Sequence, residues 1–317
     1  MMTVHQDGET APRPSDAPLN ILSVDVEDYH DQLALDFQDR IVAPDAEAER
    51  CTDRLLELFA ECDVRGTFFI LGEIAEHFPA LIRRIADAGH HLGVHGYYHL
   101  QVFRQTRSDF RVSLDKAKKL IEDTTGQPAD AHRAVAFSIG ADDGWVFETL
   151  VDLGFRYDSS IFPFRGRRYG IPDAPRRPYR YTLPDGRGIW EVPMSVVPFM
   201  GRRWPACGGG YLRLFPLWYN RWAIERLHTD GIGAVVYLHP YEVEPNPVVH
   251  PLVGLTARQK RQFAFFNFHQ KRRRAATIPK LRRLFARYPF GTIRQAVGRL
   301  THATSGPQNA AASESAT

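Results

Sequence analysis

The chain has 317 residues, of which 44% are hydrophobic and 24% charged, a balance typical of a globular protein with one large domain or two small ones. Its formal net charge of +3 is too small to indicate a nucleic-acid partner. No apolar run approaches the roughly 20 residues that a membrane helix needs. The polar residues 1–18 lack the apolar stretch of a signal peptide and predict a disordered lead, and the Ala-, Ser- and Thr-rich residues 301–317 predict a disordered tail.

The first half of the chain alternates between strand-like and helix-like segments. Short apolar runs predict strands over 21–26, 66–71, 91–95 and 131–137. Amphipathic patterns predict helices over 46–62, 74–88, 108–122 and 143–153. Such alternation implies parallel strands joined by right-handed helical crossovers, which is an α/β fold.

Residues 162–210 interrupt this alternation. They are rich in Pro, Arg and Gly, contain one strand-like run at 189–193, and predict a long irregular insertion or a substrate-facing loop region. A helix over 216–229 and a strand over 234–238 then restore the pattern. Because no repeat and no clean boundary is visible, residues 19–300 are predicted to form a single domain.

Acidic residues end the first predicted strand. Asp25 and Glu27 are two positions apart, so on a strand they point to the same face about 6–7 Å from each other. One carboxylate can then bind a metal ion while the other accepts a proton from a water. Asp28 points away unless the strand ends before it, and it stays open as an alternative ligand. Acids at a strand end also cap the following segment, but the carboxyl ends of strands in α/β folds are where sites assemble.

Two histidine pairs have the four-residue spacing that can bring two imidazoles to one ion. His91 and His95 are both on a predicted strand, which separates them by about 13 Å. Past His95 the chain meets Gly96, which permits a sharp turn. We therefore expect His95 and His99 to converge, and His91 to be structural.

Two further polar residues are associated with predicted strands. Arg133 lies in an apolar strand, where a buried guanidinium needs a carboxylate partner, and Asp25 is the natural candidate. His239 directly follows the strand at 234–238, where it could give a proton to a leaving group. Glu242 is a candidate to modulate it. Each residue also has a purely structural interpretation. Arg133 could extend to the surface, and His239 could be a core histidine whose hydrogen bonds are all made within the protein.

Together, seven stretches resemble the polysaccharide deacetylase family, also called the NodB homology family. They resemble in particular the subfamily associated with exosortase (PEP-CTERM) and exopolysaccharide loci. The stretches are SVDVEDY at 23–29, GTFFILG at 66–72, HGYYH at 95–99, FRYDSSI at 155–161, YGIPD at 169–173, GGGY at 208–211 and YLHP at 237–240. The similarity extends over residues 20–290.

The resemblance implies a distorted (β/α) barrel of seven strands and one divalent ion, usually zinc, held by one acid and two histidines. The implied metal ligands are His95, His99 and Glu27. Asp28 is the alternative to Glu27, because Val26 stands where most relatives have the second of two adjacent aspartates.

The resemblance also implies the remaining roles. Asp25 becomes the catalytic base, Arg133 the residue that orients it, and His239 the catalytic acid. The implied substrate contacts are Trp145, the backbone amide of Ala136 as an oxyanion donor, and Tyr211. Val135 stands where many relatives have proline, a departure that bears on the backbone at Ala136.

The implied reaction is removal of an N-acetyl group from an amino sugar of a polysaccharide, or of its undecaprenyl-linked precursor, in exopolysaccharide biosynthesis. Two alternatives stay open: a cyclic amide or imide hydrolase of the same fold, and a non-catalytic carbohydrate-binding scaffold. The three cysteines, none in a CxxC spacing, and the polar N-terminus predict a cytoplasmic protein, with peripheral association at the inner membrane face as a candidate. The basic run at 271–274 fits anionic lipid or an acidic polymer, although a solvated helix face is the commoner origin.

Overall fold

Seven parallel strands form the centre of the fold in a computed structural model of the protein, which describes residues 17–166, 170–246 and 252–304. Along the sheet they run in the order β10-β1-β2-β3-β4-β5-β7. They are β1 (Asn20–Val26), β2 (Thr67–Ile70), β3 (His91–Val94), β4 (Ala131–His132), β5 (Tyr157–Asp158), β7 (Gly188–Glu191) and β10 (Val235–Leu238). β6 (Tyr179–Thr182) pairs antiparallel with β7, and β11 (Phe290–Gly291) pairs parallel with β1.

Helices cover the outside of this sheet. They are α1 (Tyr29–Gln38), α2 (Ala46–Glu61), α3 (Gly72–His77), α4 (Pro79–Asp87), α5 (Arg107–Thr125), α6 (Gly144–Asp152), α7 (Gly209–Leu214), α8 (Leu217–Thr229), α9 (Ala257–Lys271), α10 (Thr277–Arg287) and α11 (Ile293–Thr304). Within the described ranges, no helix combines the length and apolar character that crossing a bilayer requires. The predicted α/β fold is confirmed, as a sheet curled into a half-barrel.

The two-residue period of the strands separates an outer core from an inner one. In β1, Leu22, Val24 and Val26 belong to the apolar cluster that packs against the helices. Ile21 belongs to the inner cluster. Ser23 and Asp25 share its parity and therefore face the interior of the curled sheet. Inward-facing side chains such as these can therefore form a site that the strands of the sheet surround.

The predicted insertion at 162–210 contains regular structure and lies between two parts of the sheet. It carries β6, β7 and a hairpin of β8 (Val196–Phe199) and β9 (Arg202–Pro205). The Met194 amide donates to the Ile161 carbonyl oxygen at 2.9 Å, on the β5 side. At the other end, Gly208 forms a parallel bridge with Tyr237 of β10. This segment therefore helps to enclose the interior.

Local departures from the sequence prediction have identifiable causes. The predicted helix at 74–88 is two helices, since Phe78 is non-helical and Pro79 starts a new helix. The predicted strand at 131–137 ends at His132, and further along the backbone turns through positive φ angles of 52° at Ala136 and 53° at Phe137. α1 was not predicted from the sequence. α11 continues to Thr304, beyond the expected boundary at 300, while residues 1–16 and 305–317 and Tyr169 of the YGIPD stretch lie outside the described residues.

Candidate metal centre

Three buried side chains converge at the carboxyl ends of β1 and β3. Glu27 Oε2 lies 2.9 Å from His99 Nε2 and 3.6 Å from His95 Nε2. One potential ligand atom from each residue lies within 4.8 Å of the other two. Gly96 allows this convergence because its φ of +110° returns the chain, so that the His95 and His99 rings sit 6.0 Å apart.

The hydrogen bonds around these residues fit a bound cation. His95 Nδ1 lies 2.8 Å from the carbonyl oxygen of Arg133, so it carries the ring proton and Nε2 keeps a lone pair facing Glu27. Glu27 Oε2, although buried, makes no aligned hydrogen bond with any residue that the structure describes. A carboxylate and two imidazoles thus lie close together without completing their hydrogen bonds to one another. Such a set suits a zinc-type ion, which binds these ligands at about 2 Å.

The charges of these groups reinforce one another. Burial acts to raise the pKa of Glu27, but the facing His99 and His239 hold that pKa well below its usual range. For His99, burial acts to lower the pKa and the Glu27 carboxylate raises it above its usual value. Glu27 is thus held as a carboxylate, the form that can bind a cation.

Asp28, the alternative ligand, points elsewhere. Its Oδ2 accepts hydrogen bonds from the amides of Asp31 at 3.2 Å and Asp45 at 3.0 Å. It is the N-cap of α1, a common use for aspartate. Burial raises its pKa to about 6 despite those hydrogen bonds. The structure therefore brings Glu27, rather than Asp28, to the two histidines.

Asp25 is held by a completely buried arginine. Arg133 donates from Nη1 to Asp25 Oδ1 at 2.8 Å and to Ser23 Oγ at 2.9 Å. Its Nε and Nη2 donate to the carbonyl and hydroxyl oxygens of Ser159 at 3.0 and 2.9 Å. The guanidinium carbon also lies 4.3 Å from the centre of the Phe69 ring. The two serines were not singled out from the sequence, although they lie in the stretches SVDVEDY and FRYDSSI.

His239 completes the ring of polar groups. Its Nε2 lies 3.5 Å from Glu27 Oε1, and its Nδ1 lies 3.0 Å from Glu242 Oε2. Burial acts to lower the pKa of His239, but the facing carboxylates of Glu27 and Glu242 raise it to about 9. The imidazole stacks on the Tyr241 ring at 5.0 Å, and the Tyr241 hydroxyl donates to Glu27 Oε1 at 3.2 Å. The role of Tyr241 was not predicted.

A buried arginine lies behind Glu242. Arg213 Nη1 is 3.5 Å from Glu242 Oε1, and both side chains are about 2% exposed. The carboxylate of Glu242 is therefore held between His239 and Arg213. Sequence patterns could not find Arg213, since an isolated arginine on a short helix reads as a surface residue.

The predicted substrate contacts lie in three different settings. Ala136 is exposed in the turn after β4, with the positive φ described above. Tyr211 is partly buried on α7 beside the inner cluster, 6.5 Å from the Phe162 ring. Trp145 begins α6, where its indole packs 5.4 Å from Phe110 of α5. These contacts place Trp145 among the outer helices, and its role at the substrate stays a prediction.

Two family models match consecutive parts of the chain. Residues 30–157 match the polysaccharide deacetylase model, and residues 159–298 match a domain of unknown function, DUF3473. Asp25 and Glu27 precede the first match, which includes His95, His99 and Arg133. His239 falls in the second.

Known proteins are similar over part or all of the chain. A peptidoglycan-N-acetylglucosamine deacetylase of Bacillus cereus is 34% identical over 95 residues, 30% of this chain and 32% of the relative. The chain thus spans about a third of that relative's length. A Mycobacterium smegmatis structure described as a polysaccharide deacetylase superimposes with a TM-score of 0.60 at 19% identity, covering 94% and 96% of the two chains. Puue allantoinase superimposes with a TM-score of 0.59 at 17% identity, covering 95% of this chain and 99% of the allantoinase. Both structures support the fold.

Proposed function

We propose that this chain is a metal-dependent hydrolase that removes N-acetyl groups from an amino sugar. The family model and the relatives support the polysaccharide deacetylase family. The observation that carries the proposal is the convergence of buried Glu27, His95 and His99, together with the buried Asp25–Arg133 pair, whose atoms lie 2.8 Å apart. A lone ion pair or a lone histidine cluster is common, but the combination supplies a candidate ligand set and a candidate base at the carboxyl ends of neighbouring strands.

A divalent ion, with zinc as our candidate, would be held by Glu27, His95 and His99, where it would polarise the acetyl carbonyl and acidify the attacking water. Asp25 takes the proton of that water. Arg133 fixes the Asp25 carboxylate through Nη1 and compensates its buried charge, so that one oxygen is held and the other is available. Ser23 and Ser159 hold the guanidinium itself in place.

His239 delivers a proton to the departing amine nitrogen. Glu242 Oε2 accepts a hydrogen bond from the Nδ1–H group of His239. The Nε2 atom of His239 then faces the candidate metal centre beside Glu27. The backbone amide of Ala136, exposed at the carboxyl end of β4, is our candidate for binding the oxyanion of the tetrahedral intermediate. Trp145 and Tyr211 are our candidates for contacting the sugar. The products are acetate and a free amino sugar.

We further assign the chain to the exosortase-associated subfamily and its reaction to exopolysaccharide biosynthesis at the cytoplasmic face of the membrane. The substrate would be the polymer or its undecaprenyl-linked precursor. The stretches FRYDSSI and GGGY support this assignment, and they lie at or beyond the boundary between the two family models. Fractionation of cells that express the tagged chain tests the location.

The decisive experiment measures acetate release by the zinc-loaded protein. Substrates are N-acetylated oligosaccharides, undecaprenyl-linked N-acetyl sugars and, because an allantoinase shares the fold, cyclic amides such as allantoin. Acetate release that disappears in a His95→Ala, His99→Ala double variant supports the proposal. Ring opening of a cyclic amide without acetate release favours the alternative hydrolase. Full activity in the double variant refutes the metal-dependent scheme.

A further inference from the structure

The helix α9 presents two contrasting faces. On its inner face, Phe263 and Phe266 pack against Phe37 of α1 with ring centres 5.5 and 6.0 Å apart. The Gln259 side chain donates to the Phe37 carbonyl oxygen at 3.1 Å. This face fixes the helix to the protein.

The outer face of α9 carries aromatic rings in water. Arg258, Arg261, Phe265, Phe268 and Arg272 follow one another at spacings of three and four residues, which places them on one side of a helix. Phe265 is 68% exposed and Phe268 is 60% exposed. The Arg272 guanidinium carbon lies 5.5 Å from the Phe268 ring centre. Two exposed rings framed by guanidinium groups form a stripe with both apolar and cationic character.

Positive charge is concentrated around this stripe. Residues 252–273 contain no Asp or Glu, and their cationic side chains are all exposed: Arg258, Lys260, Arg261, Lys271, Arg272 and Arg273. The whole chain has a net charge of only +3, so the remainder of the protein is net acidic. The asymmetry orients this surface toward an anionic partner.

We propose that the outer face of α9 docks the protein on an anionic lipid bilayer, with Phe265 and Phe268 in the boundary between headgroups and acyl chains. A helix with aromatic residues between lysines and arginines is the arrangement that binds such an interface. The cations would contact lipid phosphates, while the two rings leave water. An acidic polymer would use the same cations but would offer no apolar phase for the rings.

Two tyrosines connect α9 to the candidate metal centre. The Tyr29 hydroxyl donates to Asn267 Oδ1 of α9 at 2.9 Å. Tyr29 packs 5.0 Å from the Tyr241 ring, and Tyr241 donates to Glu27. Docking would therefore bring the site close to the bilayer surface. This proposal goes beyond deacetylation, and docking itself does not depend on catalysis.

Co-sedimentation of the purified full chain with vesicles tests the proposal. The vesicles contain phosphatidylglycerol and phosphatidylcholine in equal parts, or phosphatidylcholine alone, and a parallel assay measures binding to alginate as an acidic polymer. The test variants are Phe265→Ser with Phe268→Ser, and Arg258→Glu with Arg261→Glu. Matched controls elsewhere on the surface are Phe103→Ser, at a position 73% exposed, and Arg83→Glu with Arg299→Glu. Circular dichroism melting shows that each variant is folded.

We expect the unaltered chain to bind the anionic vesicles and each test pair to weaken that binding by about tenfold or more, with the controls unchanged. Phe265→Trp should keep full binding, since tryptophan suits the interface. Binding that survives loss of both phenylalanines, or alginate binding as strong as vesicle binding, overturns the proposal in favour of a polymer. Equal binding to neutral and anionic vesicles also overturns it. The His99→Ala variant should dock normally, so failure of docking is distinguishable from failure of catalysis.

Discussion

His95 and Arg133 are joined by a hydrogen bond from His95 Nδ1 to the Arg133 carbonyl oxygen, 2.8 Å long and fully buried. The same arginine holds Asp25 with its side chain. One residue therefore sets the tautomer of a candidate ligand with its backbone and the orientation of the candidate base with its guanidinium. This shared support links the proposed metal ligand His95 to the proposed base Asp25.

The first prediction concerns the ligand set. Replacing His99 by alanine removes a donor that lies 2.9 Å from Glu27, and we expect zinc content to fall from about one ion per chain to near zero. Acetate release should disappear with the metal. Elemental analysis after dialysis measures this, with His77→Ala, an exposed histidine of α3, as the control. Full zinc occupancy in His99→Ala would contradict the assignment.

The second prediction concerns the buried pair of Arg133 and Asp25. Replacing Arg133 by methionine leaves the Asp25 carboxylate without its buried partner, and we expect a loss of about 3–5 kcal/mol of unfolding free energy. Adding Asp25→Asn should restore part of this loss, because the unpaired charge is gone. Urea unfolding of the two single variants and the double variant measures the coupling. Strict additivity would show that the two side chains do not stabilise each other.

The third prediction concerns Glu242, which holds His239 Nδ1 at 3.0 Å. In Glu242→Gln the charged acceptor is lost, so His239 is less well oriented and kcat should fall by at least about tenfold. Zinc content and KM should change little, because Glu242 is not among the candidate ligands. Glu244→Gln, which alters a carboxylate paired with Arg54, serves as the control. A fall in zinc content equal to the fall in kcat would assign Glu242 to metal binding instead.

The strand period accounts for what the sequence could predict about this site. Asp25 and Arg133 were matched because Asp25 ends one predicted apolar strand and Arg133 lies in another, where a buried guanidinium needs a carboxylate partner. The β/α alternation likewise predicted an α/β fold with parallel strands, whereas the number of seven strands was implied only by the family resemblance.

Contacts between distant or irregular segments escaped the sequence. The Tyr241 hydroxyl contacts Glu27, 214 positions away in the chain, and Arg213 contacts Glu242 from the short helix α7, just after the insertion ends. The turn at Ala136 also left no local pattern, since alanine and phenylalanine rarely adopt a positive φ. Asp28 could be separated from Glu27 only once α1, which it caps, was known.

The fourth prediction concerns pH and His90. Burial, with a smaller contribution from Arg65, lowers the pKa of His90 from 6.5 to about 4. Between these two values the unfolded chain binds a proton that the folded chain does not, so stability falls as the pH drops from 6.5 to 4. The full loss is on the order of 3 kcal/mol.

The pH effect is measurable by urea unfolding at several pH values. His90 Nδ1 accepts a hydrogen bond from the Gly66 amide at 3.1 Å, and a glutamine side chain can also accept but does not titrate. His90→Gln should therefore show a shallower loss of stability below pH 6.5. The exposed His302, changed to glutamine, should leave the slope unaltered. Identical slopes in His90→Gln and the unaltered chain would contradict the prediction.

The last prediction concerns Gly208, whose hydrogen faces the ring of Tyr237. A Cβ at this position would come within 1.9 Å of two ring carbons, far inside any allowed contact. The ring cannot retreat easily, because it is 5% exposed and packs 5.1 Å from Phe137 and 5.9 Å from His239. We expect Gly208→Ala to lower the free energy of unfolding by about 1–3 kcal/mol, and turnover to fall because the strain reaches His239.

Gly298→Ala is the matched control. Gly298 lies in α11 with open space around it, and alanine there should stabilise the helix by about 0.5–1 kcal/mol. Thermal unfolding of both variants measures the difference, and an unchanged melting temperature in Gly208→Ala would mean that β10 does not meet the inserted segment as described.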